Sequence, residues 1–258
     1  MPTVRMNTEK TLTLTVDKLI ARISINRPTR RNALTEAMWE TLFEWVNHLP
    51  EELRLLIITG EGGVFTSGSD IRELAKISMD RVDRIFRLIE STARTIEAMP
   101  VPSVAAISGP ALGGGLILAL ACDLRIGTSR AQFGMPVGRL GITLQPPFLE
   151  RLVQVLGLSR TKDLIYTGRT YQAREALNIG LLNYLVPDAT RFAEEVEGLA
   201  GKILAQSPPS LVAVKENMER LLKLTTAEVT ESWVGPDFAE GIRAFTEKRS
   251  PSFPGGTK

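Results

Sequence analysis

From Val104 to Cys122 the chain runs for 19 residues without a charged side chain, and no other stretch restricts the fold so tightly. Its length alone would suit a membrane-spanning helix. Its content does not: Ser108, Pro110 and the glycines Gly109, Gly113, Gly114 and Gly115 would leave much of a lipid-facing helix poorly formed. The pattern fits a buried strand over Val104–Ile107, a glycine-rich turn, and a short apolar helix ending near Cys122. A chain of 258 residues, 43% hydrophobic and 23% charged, can bury such elements in one large domain or in a core with a small appendage.

The flanking segments predict mixed α/β structure. Leu12, Leu14 and Val16 alternate with threonines, and after Asp17-Lys18 the alternation resumes at Leu19, Ala21, Ile23 and Ile25, a hairpin with one buried face. Thr35 is a candidate N-cap for a helix carrying Met38, Trp39, Leu42, Phe43 and Val46 at helical spacing. Leu53–Thr59 and Leu124–Ile126 read as further buried strands, Asp70 as the start of a helical stretch, and Arg81–Ala98 as a longer helix. Ala131–Pro147 reads as irregular. Beyond Phe148 the pattern is mostly helical, with a strand-like piece at Leu181–Val186 and amphipathic helices near Arg191–Ala205, Ser210–Leu222 and Ala227–Lys248.

Composition removes several chemistries. One cysteine, Cys122, excludes an internal disulfide framework and a cysteine-based zinc site. One histidine, His48, excludes multi-histidine metal sites, and its place at a helix end before Pro50 suits a surface or capping group. Thirty-one basic against 29 acidic residues, a formal charge of +2, give no polyanion-binding balance and no dense basic stripe, so a nucleic-acid partner is not expected. The polar N-terminus lacks the apolar core of a secretory signal, and a cytoplasmic protein without a membrane partner is expected. Chemistry must come mostly from the backbone, carboxylates, hydroxyls or amides.

Two glycine turns lead into helices, Ser67-Gly68-Ser69-Asp70 and Gly113-Gly114-Gly115. Each leaves backbone N–H groups free at a helix start, where negative charge is favoured. Neither carries the Lys-Ser/Thr of a P-loop, and Gly60-Glu61-Gly62-Gly63-Val64-Phe65 lacks the third glycine of a dinucleotide fingerprint.

The order of the segments adds what the single turns lack. Ile23–Pro28, Asn32-Ala33-Leu34, Gly60–Ile71, Ile107–Leu124, Ala131-Gln132-Phe133-Gly134 and the C-terminal run Glu240–Arg249 together resemble the crotonase superfamily of enoyl-CoA hydratases and isomerases, over essentially the whole chain. The resemblance implies an α/β fold, a spiral of ββα units over residues 1–190 followed by a helical trimerisation region over 191–258, assembled as a homotrimer or a dimer of trimers. It implies an acyl-CoA thioester as substrate, with coenzyme A arriving as part of it and no permanently bound cofactor or metal.

By the same resemblance the main-chain N–H groups of Ser69 and Gly114 form an oxyanion hole for the thioester carbonyl, each donor worth roughly 3 kcal/mol. Ser69 as a nucleophile is the competing reading, disfavoured because no histidine or lysine partner is evident nearby. Arg30 and Arg31 match the CoA-binding loop and suit phosphates. Ala33, Ser67, Asp70, Ile71 and Arg72 match the rest of that site, and Phe245 and Lys248 match residues that reach CoA from the C-terminal helix.

The pattern departs from the hydratases where protons move. Their two glutamates fall here on Ile117, two residues after the triple glycine, and on Val137, after Phe133-Gly134-Met135-Pro136. Aliphatic side chains cannot move a proton or orient water, so standard hydration of 2-enoyl-CoA is not expected. Glu90 is the remaining candidate general base, and Arg139, Thr143 and Gln145 are candidate polar groups near the acyl chain; a solvated helix glutamate and a structurally paired arginine are the alternatives. Leu112, Leu116, Ile117, Val137 and Leu140 are expected to line the acyl pocket. Enolate chemistry on a specialised acyl-CoA (isomerisation, decarboxylation, thioester hydrolysis or retro-aldol cleavage) stands against a CoA-thioester-binding subunit or sensor without catalysis.

Overall fold

The structure, a computed structural model, describes residues 3–6 and 9–223 and positions 240, 244, 247, 249 and 252. The alternating N-terminal segments pair as a hairpin, β2 (Leu12–Asp17) against β3 (Ile20–Ile25), with Leu14 opposite Ile23 on the buried face. An exposed strand β1 (Thr3–Met6) adds antiparallel to β2. Val4 and Met6 alternate there with Thr3 and Arg5, but over only four residues and with neither face buried.

From β3 onward the large sheet is parallel: β4 (Leu55–Gly60), β5 (Ser103–Ile107), β7 (Leu124–Thr128) and β10 (Tyr184–Val186) follow in that spatial order. A second, small sheet holds β6 (Pro110–Leu112), β8 (Gln132–Gly134) and β9 (Thr170–Gln172), with Ala111 paired to Phe133 and Phe133 to Tyr171. The bridges Thr66↔Ala111 and Leu34↔Ser69 extend this layer further. These three-residue strands are too short to show a period of two, and β8 occupies a stretch expected to be irregular.

Each unit of the chain therefore gives one strand to the large sheet, one short rung to the small layer, and then a helix. After β3 and Leu34 comes α1 (Glu36–Asn47), whose N-cap Thr35 accepts a hydrogen bond from Met38 N at 3.3 Å. After β4 and the Thr66–Ser69 rung come α2 (Ile71–Leu74) and α3 (Met79–Ala98). After β5 and β6 comes α4 (Gly114–Ala121), and after β7 and β8 comes α5 (Pro146–Thr167), broken at Gly157. The short α6 (Ala173–Asn178) follows β9. This is the expected spiral of ββα units.

Burial on both faces of the large sheet explains the continuous apolar runs of its strands. Leu56 and Ile58 face the main core with Ile23, Trp39, Leu42 and Ile96, whereas Leu55 and Ile57 face a second core with Val104, Ala106 and Ile126. Each such side chain contributes about 1.5–3 kcal/mol of burial. That second face is covered by Val196, Leu199 and Ala200 of α7 (Phe192–Leu204). The expected C-terminal region from 191 onward thus opens with a helix that packs into the core, and α8 (Pro208–Lys223) follows it. The helix expected over Ala227–Lys248 lies outside the described residues except at isolated positions.

Candidate active site

The site grows from a tight turn at Asn32, a fully buried residue with a φ of 55°. Its side chain accepts from Arg27 N at 2.7 Å and donates to the carbonyls of Glu61 (2.9 Å) and Val64 (2.7 Å). Its own carbonyl accepts from Thr66 Oγ1, which in turn accepts from Gly68 N. A buried amide with every polar atom engaged fixes its neighbours, and here it clamps the Pro28–Asn32 turn onto the loop carrying Ser67 and Ser69. Arg27 completes the clamp, donating to Ala33 O at 3.0 Å and to Asp70 Oδ2 at 2.7 Å.

Asp70 caps α2 through Arg72 N at 3.0 Å. Burial alone would raise its pKa, but the hydrogen bonds and charge of Arg27, with the Arg72 and Glu73 amides, hold it below the usual aspartate value. Arg30, Arg31 and Arg72 stand around the resulting open groove, with Ala33, Ser67, Ser69, Asp70 and Ile71 on its walls. These eight are the residues that the family resemblance assigns to one site, and they line one mouth.

Two backbone donors stand where that mouth meets the interior, Ser69 lining the mouth and Gly114 lying behind it. In the parallel bridge between Leu34 and Ser69, Leu34 N donates to Gly68 O and Asp70 N to Leu34 O, both at 2.8 Å. The Gly68–Ser69 peptide is planar and trans, so with its carbonyl turned to Leu34 its N–H points the opposite way. At the start of α4, Gly113 O accepts from Ile117 N at 3.2 Å, which leaves Gly114 N–H directed out of the helix N-terminus. Among the described residues, neither N–H has an intramolecular acceptor. The two meet closely: a Cβ on Gly68, whose φ is 87°, would fall 2.8 Å from Gly114 N. Only glycine permits that approach.

Beyond the donors a cavity of about 180 Å³ opens, sharing Ser67, Ser69 and Ile71 with the mouth. Leu112, Ile117, Val137 and Leu140 line it as expected, joined by Phe86, Ile89 and Phe148. Leu116, also expected there, is instead buried in the core. Among the described residues no titratable side chain lines this cavity. A polar cradle thus leads past two aligned N–H groups into an apolar pocket.

The family model described as enoyl-CoA hydratase/isomerase matches residues 15–256. The chain belongs to that family. The human mitochondrial enoyl-CoA hydratase domain-containing protein 2 is 34% identical over 253 residues, covering 93% of this chain and 87% of its own. An enoyl-CoA hydratase/carnithine racemase from Magnetospirillum magneticum superposes with a TM-score of 0.89 at 29% identity, covering 97% of each chain. An enoyl-CoA hydratase from Bacillus anthracis does so with 0.81 at 31% identity, over 98% of each chain.

Within this crotonase-type frame the expected acid/base groups are placed away from the cavity. Glu90 does not line it. Its carboxylate is held by Arg151, with Nη1 at 2.5 Å and Nη2 at 3.2 Å, and by Arg94 Nε at 2.6 Å. Arg151, only 5% exposed, also pairs with Glu97. Burial works against the charge of Arg151, but Glu97 and Glu90 more than offset it and keep the guanidinium protonated. Glu90 is therefore corrected from candidate base to partner of a buried arginine. The signal was in the sequence, Glu90 and Glu97 about two turns apart on one helical face, but their partner lies 61 residues from Glu90.

Arg139 donates to Gly168 O at 3.3 Å, and Thr143 and Gln145 are exposed, so none of these three reaches the cavity; Leu140, Ile142 and Leu144 of the same loop face it instead. Phe245 and Lys248 lie outside the described residues. His48 caps the end of α1, its Nδ1 2.8 Å from Glu44 O, as its position suggested. Cys122 is buried, and burial pushes its thiol up to about 12, which removes it as a nucleophile. Among the described residues no cluster of three metal-ligating side chains occurs, and no helix is long and apolar enough to cross a membrane. One contributor was missed from the sequence: Trp39, read there only as a core residue, donates its indole N–H to Ser69 Oγ at 3.3 Å.

Proposed function

We propose that the chain processes an acyl-CoA thioester, with the CoA phosphates at Arg30, Arg31 and Arg72, the thioester oxygen on the N–H groups of Ser69 and Gly114, and the acyl group in the apolar cavity. The observation that carries this reading is the convergence of the two free N–H groups at the junction of a basic mouth and an apolar pocket. Ile117 and Val137 stand where the hydratases carry glutamates, and among the described residues the pocket offers no carboxylate in their place, which argues against hydration of 2-enoyl-CoA.

Decarboxylation of a malonyl-type thioester suits this inventory best, because it needs no protein base. The bond from Cα to the carboxylate breaks and CO2 leaves. Its electron pair forms the enolate, whose oxygen rests on the two N–H groups. Water from the open mouth then protonates Cα, giving the shortened acyl-CoA, and the hydroxide left behind is taken up by the departing CO2 as bicarbonate. The apolar walls favour the step by stripping water from the carboxylate before it is lost. Ser69 Oγ, facing an indole N–H and no base, has no route to nucleophilic attack.

The absence of titratable groups from the cavity also supports the alternative of a binding subunit or sensor without turnover. Incubation with saturated, 2-enoyl, 3-enoyl, malonyl-type and 3-hydroxy acyl-CoA thioesters in D2O, followed by mass spectrometry, separates the two. Loss of CO2 with one deuterium at Cα is expected for the malonyl-type thioester. Binding of that thioester with no mass change would leave the sensor reading, and no binding of any thioester would overturn both. A homotrimer or dimer of trimers, built through the C-terminal region, is proposed with it and is checked by light scattering.

A further inference from the structure

Trp39 is only 1% exposed and sits on α1, whose N-terminal approach already holds the oxyanion hole through Leu34. A buried indole N–H needs an acceptor, and this one uses Ser69 Oγ at 3.3 Å. The same ring abuts the other donor: a Cβ on Gly114 would lie 3.2 Å from Trp39 Cζ2. One side chain therefore bonds to one of the two residues whose N–H groups face the thioester and stands beside the other. Residue 69 is gripped twice by one short segment, through its preceding peptide by Leu34 and through its hydroxyl by Trp39. The Gly68 hinge before it, with a φ of 87°, is the joint such a grip would stiffen.

We propose that Trp39 is a positioning residue of the oxyanion hole, its hydrogen bond to Ser69 Oγ and its ring against Gly114 holding the two N–H groups at the spacing a single thioester oxygen requires. This rests on the reading of Ser69 and Gly114 as thioester donors. The serine hydroxyl serves here as an anchor for the main chain, not as a reacting group. Donors fixed before the charge develops stabilise it without reorganising, and a shelf free to drift by a fraction of an ångström loses part of that effect.

Two measurements test the proposal, the first without any ligand. Hydrogen exchange of the Trp39 indole N–H, followed by NMR, is expected to be slow in the wild type and faster in Ser69→Ala; an unchanged rate would overturn the lock whatever the protein binds. The second reads the carbonyl stretch of bound 13C-labelled butyryl-CoA, a saturated thioester with no carboxylate to lose. The wild type is expected to shift that band to lower frequency. Trp39→Phe, which keeps a ring and loses the N–H, is expected to reduce the shift and to weaken butyryl-CoA binding about threefold to tenfold. Its affinity for free CoA, which reads the mouth, should stay unchanged. Ser69→Ala should reduce the band shift and the butyryl-CoA affinity as Trp39→Phe does, and the double variant should reduce them no further. A full wild-type shift in Trp39→Phe would overturn the positioning role. Failure of the wild type itself to shift the band would overturn the thioester reading instead, a different failure from that of the lock.

Discussion

The oxyanion shelf and the acyl cavity lie side by side yet are built from different parts of the chain's chemistry. The shelf consists of main-chain atoms: the N–H groups of Ser69 and Gly114, aimed by a parallel bridge and a helix start. The cavity consists of side chains drawn from α2, α3, α4, α5 and the loop after Phe133. A backbone donor survives almost any substitution at its own position, provided the glycines that allow the close approach remain. A catalytic carboxylate is lost in one substitution. The glycines of the proposed shelf are accordingly present here, while the two hydratase glutamate positions hold Ile117 and Val137.

The contrast breaks most decisively at Gly68. A methyl group there would meet Leu112 O at 2.7 Å and Gly114 N at 2.8 Å, on a backbone with φ of 87°. Gly68→Ala must therefore push the two donors apart or turn one away. Loss of one donor corresponds to roughly 3 kcal/mol, or a hundredfold to thousandfold fall in turnover of the malonyl-type thioester. Rates measured alongside circular dichroism separate this from unfolding. A folded Gly68→Ala protein with the wild-type rate would show that the shelf is not where the reaction is stabilised.

The cavity should respond in the opposite way, through stability. Ile117 is buried at the cavity wall, and Ile117→Glu alone puts a carboxylate among apolar side chains with no cationic partner among the described residues that line the pocket. The expected cost at neutral pH is about 2–4 kcal/mol. Desolvation raises the folded-state pKa above the unfolded value, so the ionisation penalty is absent below about pH 4, the unfolded range, and grows as pH rises through it. Denaturant titrations at pH 4 and pH 7 should show the variant approaching the wild type only at the lower value. An equal deficit at both would mean that steric misfit, not charge, governs the wall.

Glu90→Gln sharpens the same distinction with a smaller effect. Its carboxylate serves Arg151, which retains Glu97, so the variant should lose about 2 kcal/mol of stability. Its rate on a thioester should stay at the wild-type value. A large fall in rate with stability intact would return Glu90 to the role of base.

These cases also mark what the sequence could reveal. The proposed shelf could be named because the ordered motifs resemble those of the family, and the hairpin was legible because Leu14 and Ile23 belong to clean alternations. The mouth residues were legible as a set for the same reason, though their clamp by the buried Asn32 amide was not. Facts that depend on partners far along the chain were hidden: Arg151 behind Glu90, Gly168 before Arg139, Ser69 beside Trp39. The small sheet was hidden for another reason, since three residues carry no periodicity and its rungs are recognised only through their pairing.

The mouth stands between the two extremes, since its geometry relies on a side-chain ion pair, Arg27 with Asp70, acting on backbone groups. Asp70→Asn keeps the shape and removes the charge, and about 1 kcal/mol of stability should go with it at neutral pH. The folded-state pKa of Asp70 lies below its ordinary value of 3.8, so the unfolded chain binds the proton more readily. The carboxylate's stabilisation is thus complete well above pH 3.8 and is lost as pH falls through the lower, folded value. Unfolding curves for the wild type and Asp70→Asn should converge on acidification below pH 4, with the gap constant between pH 6 and pH 8. A gap that persists in acid would mean that shape rather than charge holds Asp70 in place. The mouth would then depend, like the shelf, on backbone fit, and its affinity for CoA phosphates would trace to the exposed arginines alone.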